Sequence, residues 1–434
     1  MRLLLSLLAI GVAAPATAQS LNMTLIGRAD PRSQGYSDVW GYAADNGREY
    51  AVVSTRSDGG TTIIDVTAVP PVEVKYIPGG GGTGSDVEIY GDYAYVSDDN
   101  DVVQIIDLTD PPNAHVVGTF EADPGSPTAG VHTLTVAGDY LYTQGGLDPG
   151  GVRIWSLANP LAPAFVGQYQ PHYIHDIMVR GDTLYAAGIY GDGVDIVDIS
   201  NRASPQLINR FNYPGSGAHN VCSTVSGSYI FVGDEIGTGQ WTRVFDVRDP
   251  MNPELVAQII TDTGSTVHNC HVVGDRLYIA HYDRGARVYD ISTPTAPVEI
   301  GFYETSVSLM WSVYPHLPSG RLIASDMQQG VFVLEMTTTA NEPGAGDAEA
   351  LALSVAPNPL QGTGTVRFTL ATATDVRLTL FDATGREAAL LASGARTAGA
   401  HQAPLDTGTL APGVYLVRLQ AGARVTTSRV TIVR

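Results

Sequence analysis

The sequence predicts an all-β protein: a seven-bladed β-propeller followed by an Ig-like β-sandwich. Two observations predict the propeller. A short pattern, apolar-x-apolar-apolar-acidic-apolar, occurs seven times at steps of 42 to 49 residues. Short segments rich in Val, Ile and Tyr alternate with Gly, Asn, Asp and Pro around each copy, which is typical of strands and turns. Such a period fits a four-stranded blade. The polar position of the seven copies falls at Asp65, Asp107, Ser156, Asp198, Asp246, Asp290 and Glu335.

Each repeat divides into four strand-like pieces. In the second repeat these are "SDVEIY" (85–90), "YAYVSD" (93–98), "VQIIDLTD" (103–110) and "AHVVGTF" (114–120). The recurring acidic residue comes late in the third piece, just before a Pro-containing bend. Asx-type hydrogen bonds to that bend would satisfy its side chain, so we interpret the seven copies as architecture.

The two ends of the propeller predict how the ring closes. The seventh repeat ends after its third strand at Met336, whereas "LNMTLIGRAD" (21–30) precedes the first repeat and is similar to the fourth-strand segment 114–123. We therefore expect the N-terminal strand to complete the last blade, which would protect both edges from unwanted pairing.

Four segments follow from these patterns. Residues 1–18 have the charge, the short apolar run and the Ala-x-Ala ending of a secretory signal peptide. Residues 19–336 form the predicted propeller, 337–350 a solvated linker, and 351–434 the predicted sandwich of short alternating strands. No other stretch is long and apolar enough to predict a transmembrane segment in the mature chain.

Charge separates the two predicted domains. Residues 19–350 contain 15 Lys and Arg against 40 Asp and Glu, whereas residues 351–434 contain 8 basic and 4 acidic residues. The strongly acidic part would repel a phosphate backbone, so we expect no nucleic-acid partner and no anionic membrane surface. Cations, neutral ligands and basic surfaces are the partners that this charge favours.

The repeat cores "IIDLTDP" (105–111) and "IVDIS" (196–200) resemble LVIVD repeats. Over residues 19–340 the chain resembles the secreted bacterial proteins of the choice-of-anchor B family, although Ser156 and Glu335 replace the usual Asp. The resemblance implies a secreted propeller and does not by itself imply an activity.

The C-terminal part resembles the sorting domain of type IX secretion cargo. The matching segments are Ala356–Pro359, "VRLTLFDATGRE" (376–387) and "LAPGVYLVRLQAG" (410–422). The resemblance implies passage through the periplasm, the type IX secretion machinery as a partner, and a final location outside the cell or on its outer surface.

Alignment of the seven first strands predicts two rings of side chains around the central channel, because innermost strands converge there. The first ring contains Ser37, Ser85, His132, His175, His219, His268 and Trp311. The second ring contains Asp38, Asp86, Thr133, Asp176, Asn220, Asn269 and Ser312.

These rings supply the candidate site. The candidate metal ligands are His132, His175, His219 and His268, and the candidate ligand-binding residues are Asp38, Asp86, Asp176, His271, His281 and Asp283. Imidazole suits transition metals and carboxylate suits calcium, so the sequence leaves open which divalent ion would bind. The alternative is that the repeated histidines only bond neighbouring loops and organise the blades.

The two cysteines, Cys222 and Cys270, lie in the first strands of adjacent repeats. Export makes a disulfide reasonable, but their offsets from the aligned histidines differ by one residue and so have opposite parity. Only a β-bulge would bring both side chains to the same face. A disulfide and two packed thiols both stay open at this point.

The leading functional hypothesis is a secreted or surface-displayed binding or scaffold propeller with an unknown surface or extracellular ligand. The alternative is a metal-dependent hydrolase or lyase with its site at the channel mouth. The chain contains no Walker motif, no H-E-x-x-H and no G-x-S-x-G. No nucleotide-binding or hydrolase motif therefore supports the alternative.

Overall fold

The computed structural model describes residues 18–99, 102–122, 130–146, 149–237, 239–262, 264–337, 353–356, 360–370, 373–382, 387–397, 399–408, 410, 413–421 and 424–432. Most of the predicted signal peptide and of the predicted linker lie outside the described residues, as do residues 357–359, 383–386, 411–412 and 422 of the sorting resemblance. The chain divides into two compact units, Met1–Thr338 and Thr339–Arg434.

The first unit is a seven-bladed propeller, which confirms the predicted fold class. Its first three blades comprise β3 (Tyr36–Ala43), β4 (Glu49–Thr55), β5 (Thr61–Asp65) and β6 (Val72–Ile77); β7 (Gly84–Tyr90), β8 (Tyr93–Asp98), β9 (Val103–Asp107) and β10 (His115–Phe120); and β11 (Thr133–Ala137), β12 (Tyr140–Gln144), β13 (Val152–Ser156) and β14 (Ala164–Tyr169).

Blades 4 and 5 comprise β15 (Asp176–Arg180), β16 (Thr183–Gly188), β17 (Gly193–Asp198) and β18 (Gln206–Phe211), and β19 (Ala218–Ser223), β20 (Tyr229–Asp234), β21 (Thr242–Asp246) and β22 (Glu254–Ile259). Blades 6 and 7 are built on β23 (Val267–Val273), β24 (Arg276–His281), β25 (Gly285–Asp290) and β26 (Val298–Thr305), and on β27 (Met310–Tyr314), β28 (Leu322–Asp326) and β29 (Gly330–Met336). Single 3₁₀ turns occur at Pro111–Asn113 and Tyr282–Arg284.

The N-terminal segment completes two blades. Strand β2 (Met23–Ala29) pairs antiparallel with β29, Met23 opposite Met336, and is the outer strand of blade 7. Strand β1 (Ala18–Leu21), which the sequence pattern does not predict, adds a fifth strand to blade 6 by pairing with β26. Between them Asn22 takes φ 49° and donates from its side-chain amide to the Ile300 carbonyl at 2.8 Å. One short segment therefore fastens the last two blades together.

The repeated acidic residue has the predicted architectural role. The Asp198 Oδ1 atom accepts the Ser200 N–H at 2.8 Å, and the hydroxyl of Ser156, which replaces the Asp in blade 3, accepts the Ala158 N–H at 3.3 Å. The same i to i+2 hydrogen bond is made by Asp65, Asp107, Asp246 and Asp290. These turns fix the bend that leads into the outer strand in blades 1 to 6, whereas the outer strand of blade 7 is β2.

The apolar core is divided into layers between adjacent blades. One layer joins Tyr142 and Ile154 of blade 3 to Ile177 and Leu184 of blade 4, and all four side chains are buried. Because each blade packs mainly on its two neighbours, the innermost strands are held at a fixed spacing around the channel.

A β-bulge lies near the start of the innermost strand in most blades. The pairing register shifts at this place in blades 1, 2, 5, 6 and 7. A regular strand would point consecutive residues to opposite faces, whereas a bulge re-aims one of them. Both predicted rings can therefore face the channel, one above the other.

The second unit contains two antiparallel sheets of three and four strands, as the predicted sandwich requires. The smaller sheet has β30 (Leu353–Ala356), β31 (Thr363–Leu370) and β34 (Gly399–Asp406); the larger has β32 (Thr374–Asp382), β33 (Glu387–Arg396), β35 (Gly413–Ala421) and β36 (Arg424–Ile432). Inward-facing side chains of both sheets, such as Val366, Phe368, Leu378 and Leu419, form one buried core.

Candidate ligand and metal site at the channel mouth

The four aligned histidines lie against one another in a continuous arc. The ring centroids are 4.5 Å apart for His132 and His175, 4.2 Å for His175 and His219, and 4.1 Å for His219 and His268. Trp311 continues the arc, with its ring centroid 4.3 Å from that of His268. Five consecutive blades thus supply the aromatic wall of one mouth of the channel.

Burial keeps most of this arc uncharged. Desolvation, followed by the neighbouring imidazoles, holds the pKa of His175 and His268 well below the usual 6.5, and desolvation lowers that of His219 to about 4. His132 differs: burial by itself lowers its pKa, but the hydrogen bond and the charge of Asp99 outweigh burial and raise it. The two groups form an ion pair, with 2.9 Å between His132 Nδ1 and Asp99 Oδ1.

Three histidines of the arc bond to the backbone of the next blade. The Nδ1 atom of His268 lies 2.7 Å from the Trp311 carbonyl oxygen, in the next blade, and donates to it in the corresponding tautomer. His175 approaches the backbone of His219, and His219 approaches that of His268, with less favourable hydrogen-bond geometry. The interpretation of the histidines as blade organisers therefore applies to all three.

A carboxylate and an aromatic ring lie above the arc. The His219 Nε2 atom is 3.6 Å from Glu235 Oε2, and the Tyr282 hydroxyl donates to Glu235 Oε1 at 2.8 Å. Tyr282 also stacks on His268 at 4.9 Å, while the Arg56 guanidinium lies 4.6 Å from the Trp311 ring. Loops of several blades thus form a rim of mixed charge and aromatic surface.

His175, His219 and Glu235 place three donor atoms within 4.8 Å of one another. Among the described residues, this is the group of three or more His, Cys, Asp or Glu side chains whose geometry suits a metal ion. Two imidazoles and a carboxylate are a usual ligand set for zinc, with a further position left to water or substrate. His132 and His268, the other two candidate metal ligands, are engaged with Asp99 and with the Trp311 carbonyl.

The second ring lies below the histidines and is linked by hydrogen bonds. Asn220 donates to Asp176 at 2.6 Å, and Asn269 donates to Asp38 at 3.4 Å. The Leu134 N–H donates to Asp86 at 2.7 Å across the blade boundary. Carboxyl and amide groups from blades 1, 2, 4, 5 and 6 therefore converge on the channel.

These carboxyl groups are costly to ionise. Asp38 and Asp176 are each less than 9 % exposed and Asp86 is partly buried, and burial raises the pKa of Asp38 to about 6 and that of Asp176 to about 7. Burial and the charge of Asp38 raise the pKa of Asp86 well above its usual range. One level deeper, burial similarly raises the pKa of Glu88.

Two cavities meet at this ring. The upper cavity, of about 20 Å³, has His132, His175, His219, His268 and Trp311 in its lining. The lower cavity, of about 390 Å³, extends past Glu88, Met178 and Arg180. Asp38, Asp86, Asp176 and Asn269 line both cavities, so they form the constriction between them, which we call the neck.

The remaining candidate ligand residues lie away from the neck. His271 is on the wall of the lower cavity, its ring 5.4 Å from that of His316, and burial lowers its pKa to about 3. His281 is buried against Ser265, 3.1 Å from its hydroxyl, and Asp283 lies 3.8 Å from His281. Neither His281 nor Asp283 lines the upper or the lower cavity, so the structure does not bring them to the rings.

Cys222 and Cys270 form a disulfide between the innermost strands of blades 5 and 6, with 6.1 Å between their Cα atoms. The pairing register shifts at the corresponding place in β19 and in β23, so the parity difference between the two cysteines remains. It directs the two side chains to the blade faces that pack on each other, where both cysteines belong to one buried cluster. Both cysteines line the lower cavity, so the cross-link fixes part of its wall.

Several residues at the mouth are outside the candidate set from the sequence. Glu235 and Tyr282 belong to loops after the second strands of blades 5 and 6. Their contacts with the arc depend on the course of those loops in the folded protein. Asn220 and Asn269 occupy the same alignment column as the acidic residues, so the alignment of the first strands identifies them.

Comparison with known proteins agrees with the fold. The LVIVD repeat family matches residues 81–121, 173–213 and 264–305, which enclose blades 2, 4 and 6. The family described as secretion system C-terminal sorting domain matches residues 354–433. No curated protein matches the chain.

Two solved structures are similar to the propeller. The crystal structure of the Cps50 (Swd1) β-propeller domain of Myceliophteria thermophila has 13 % sequence identity and a TM-score of 0.52, over 71 % of this chain and 98 % of that one. The computationally designed Ika8 protein has 9 % identity and a TM-score of 0.48, over 71 % and 98 % of the two chains. At such identity the first similarity supports the fold alone.

No helix among the described residues has the length and apolar character needed to span a membrane. The sorting domain indicates delivery to the extracellular space or the outer cell surface, and it implies interaction with the type IX secretion machinery. This chain is therefore a secreted β-propeller protein that is built with LVIVD repeats and carries a type IX secretion C-terminal sorting domain.

Proposed function

We propose that this propeller is an extracellular binding module that holds a transition-metal ion at its channel mouth and binds its ligand there. The observation that carries the proposal is the mutual distance of at most 4.8 Å between donor atoms of His175, His219 and Glu235. Three protein ligands leave a position on the ion to which a bound ligand can contribute an oxygen.

The surroundings of these residues support the proposal. Burial keeps His175 and His219 in the neutral form that a metal ion needs. Tyr282 donates to one oxygen of Glu235 and leaves the other toward His219, which is how an outer hydrogen bond orients a metal ligand. The rim offers the faces of Tyr282 and Trp311 and the Arg56 guanidinium to a ligand bound above the ion.

Zinc titration of the mature chain, stripped with a chelator and followed by calorimetry, tests the proposal. We expect one site of stoichiometric Zn²⁺, and an affinity lowered about 100-fold or more in His219→Ala and in Glu235→Gln. His115→Ala is the matched control, because His115 is exposed on the outer strand of blade 2. Absence of Zn²⁺ binding, or equal binding by Glu235→Gln, would contradict the proposal.

A second function, metal-dependent hydrolysis or elimination, is favoured by the same open coordination position. An ion with three protein ligands can lower the pKa of a bound water and supply hydroxide at neutral pH. Hydrolysis of 4-nitrophenyl acetate by the zinc-loaded chain, lost in Glu235→Gln and unchanged in His115→Ala, would favour the enzyme. Zinc binding without such turnover would favour the binding module.

A further inference from the structure

The neck of the channel carries an inference that is independent of the zinc proposal. We infer that the neck is a second cation site, built from oxygen ligands and suited to Ca²⁺. The site comprises Asp38, Asp86, Asp176 and Asn269 and lies below the histidine arc.

The alignment column of the second ring has the donor chemistry of a calcium site. At this position every blade has a side chain with an oxygen atom, namely Asp38, Asp86, Thr133, Asp176, Asn220, Asn269 and Ser312. Calcium takes six to eight oxygen ligands from carboxylates, amides and waters, and tolerates irregular geometry. The ring above, in contrast, supplies imidazole nitrogen, which suits softer ions.

Two carboxyl groups approach each other closely at the neck. Asp38 is only 4 % exposed and lines both cavities, and its carboxyl group lies within hydrogen-bond reach of the Asp86 carboxyl group and of the Ser312 hydroxyl, which is 0 % exposed. Two carboxylates in contact repel each other unless a proton or a cation lies between them, and a bound Ca²⁺ would take the place of the proton.

The neck is rich in carboxyl groups and has no basic side chain beside it. Asp38 and Asp176 are buried there and Asp86 is partly buried, and the lining of the upper cavity contains no Lys or Arg among the described residues. The imidazole of His132, which lines the same cavity, is already paired with Asp99 on the rim side. A divalent cation would supply the missing positive charge within the channel.

The two cavities give a cation at the neck both space and access. The upper cavity of about 20 Å³ is large enough for one water-sized occupant and is directly above the neck. The lower cavity of about 390 Å³ provides a route and room for the waters that complete a calcium shell. Rotation of the Asn269 amide, which now donates to Asp38, would turn its oxygen toward the ion.

Calcium binding by the chelator-treated mature chain tests the inference. We expect about one Ca²⁺ per chain by calorimetry and a rise in Tm on the order of 5 °C at a hundredfold excess over Kd. Tb³⁺ should replace Ca²⁺ and give sensitised luminescence, because Trp311 lines the cavity above the neck. Asp86→Asn and Asp176→Asn should each weaken Ca²⁺ binding at least tenfold and remove the Tm rise.

Two further variants keep the test decisive if an aspartate variant fails to fold. Asn269→Ala retains every carboxyl group and should still weaken binding, whereas Asp275→Asn, in the exposed turn of blade 6, should not. Glu235→Gln should abolish the zinc site and leave Ca²⁺ binding unchanged, so the two metal proposals fail separately. The absence of Ca²⁺ binding by the unmodified chain, or equal binding by Asp86→Asn, Asp176→Asn and Asn269→Ala, overturns the inference.

Discussion

Replacing Asp195 by Asn should measurably destabilise the propeller, because Asp195 is the centre of a buried ionic cluster between blades 3 and 4. Its side chain is 0 % exposed and accepts hydrogen bonds from Arg210 Nε at 2.5 Å, Arg210 Nη2 at 2.9 Å and the Tyr169 hydroxyl at 2.7 Å. His172 Nε2 lies 3.2 Å away, and its Nδ1 is 3.5 Å from Asp192.

The magnitude follows from the pKa of Asp195. Burial by itself raises it, but hydrogen bonds from His172, Arg210 and Tyr169 outweigh burial and lower it from 3.8 to about 2. At about 1.36 kcal/mol per pKa unit, the ionised carboxylate contributes about 2 kcal/mol to the free energy of unfolding near pH 7. The pKa of Asp195 is lower in the folded chain than in the unfolded chain. This contribution is therefore complete at a pH above the pKa of the unfolded chain, and it is lost as the pH falls from about 4 toward 2.

Urea unfolding of the mature chain provides the assay. All four Trp residues, Trp40, Trp155, Trp241 and Trp311, belong to the propeller, so tryptophan fluorescence reports that unit alone. We expect Asp195→Asn to lower the free energy of unfolding by about 2 kcal/mol at pH 7 and by about half as much at pH 3. A difference that is equal at the two pH values would refute the reasoning.

Three other predictions concern the architecture. Replacing both Cys222 and Cys270 by Ser should lower the free energy of unfolding by up to about 4 kcal/mol, as expected for a cross-link that closes a loop of this length, and an unchanged urea midpoint would contradict the estimate. A mature chain that starts at Asp30 lacks β1 and β2, so β29 becomes an open edge and the chain should elute from gel filtration as aggregates. A chain that starts at Asn22 keeps β2 and should stay monodisperse. Equal elution of the two chains would argue against closure by β2. Deletion of residues 351–434 should stop delivery to the cell exterior, measured by fractionation, and should leave the fluorescence-detected unfolding of the propeller unchanged; delivery of the truncated chain would contradict the sorting role.

The sequence by itself determined the blade count, because the period of the Asp65-to-Glu335 pattern is a local property that each repeat carries alone. The roles of Asp198 and its equivalents were also predictable, since an Asx turn involves only residues two positions apart. The alignment columns identified the rings for the same reason: equivalent positions in equivalent units must converge on one axis.

The tertiary structure decided which members of those columns act together. Glu235 reaches His219, and Tyr282 reaches both Glu235 and His268, through loops whose course depends on neighbouring blades. The packing of blade 5 on blade 6 settled the cysteine pairing, because it brings opposite faces of the two innermost strands together. His281 and Asp283 match the residue types of a site but face their own blade, because direction is set by packing and not by spacing along the chain.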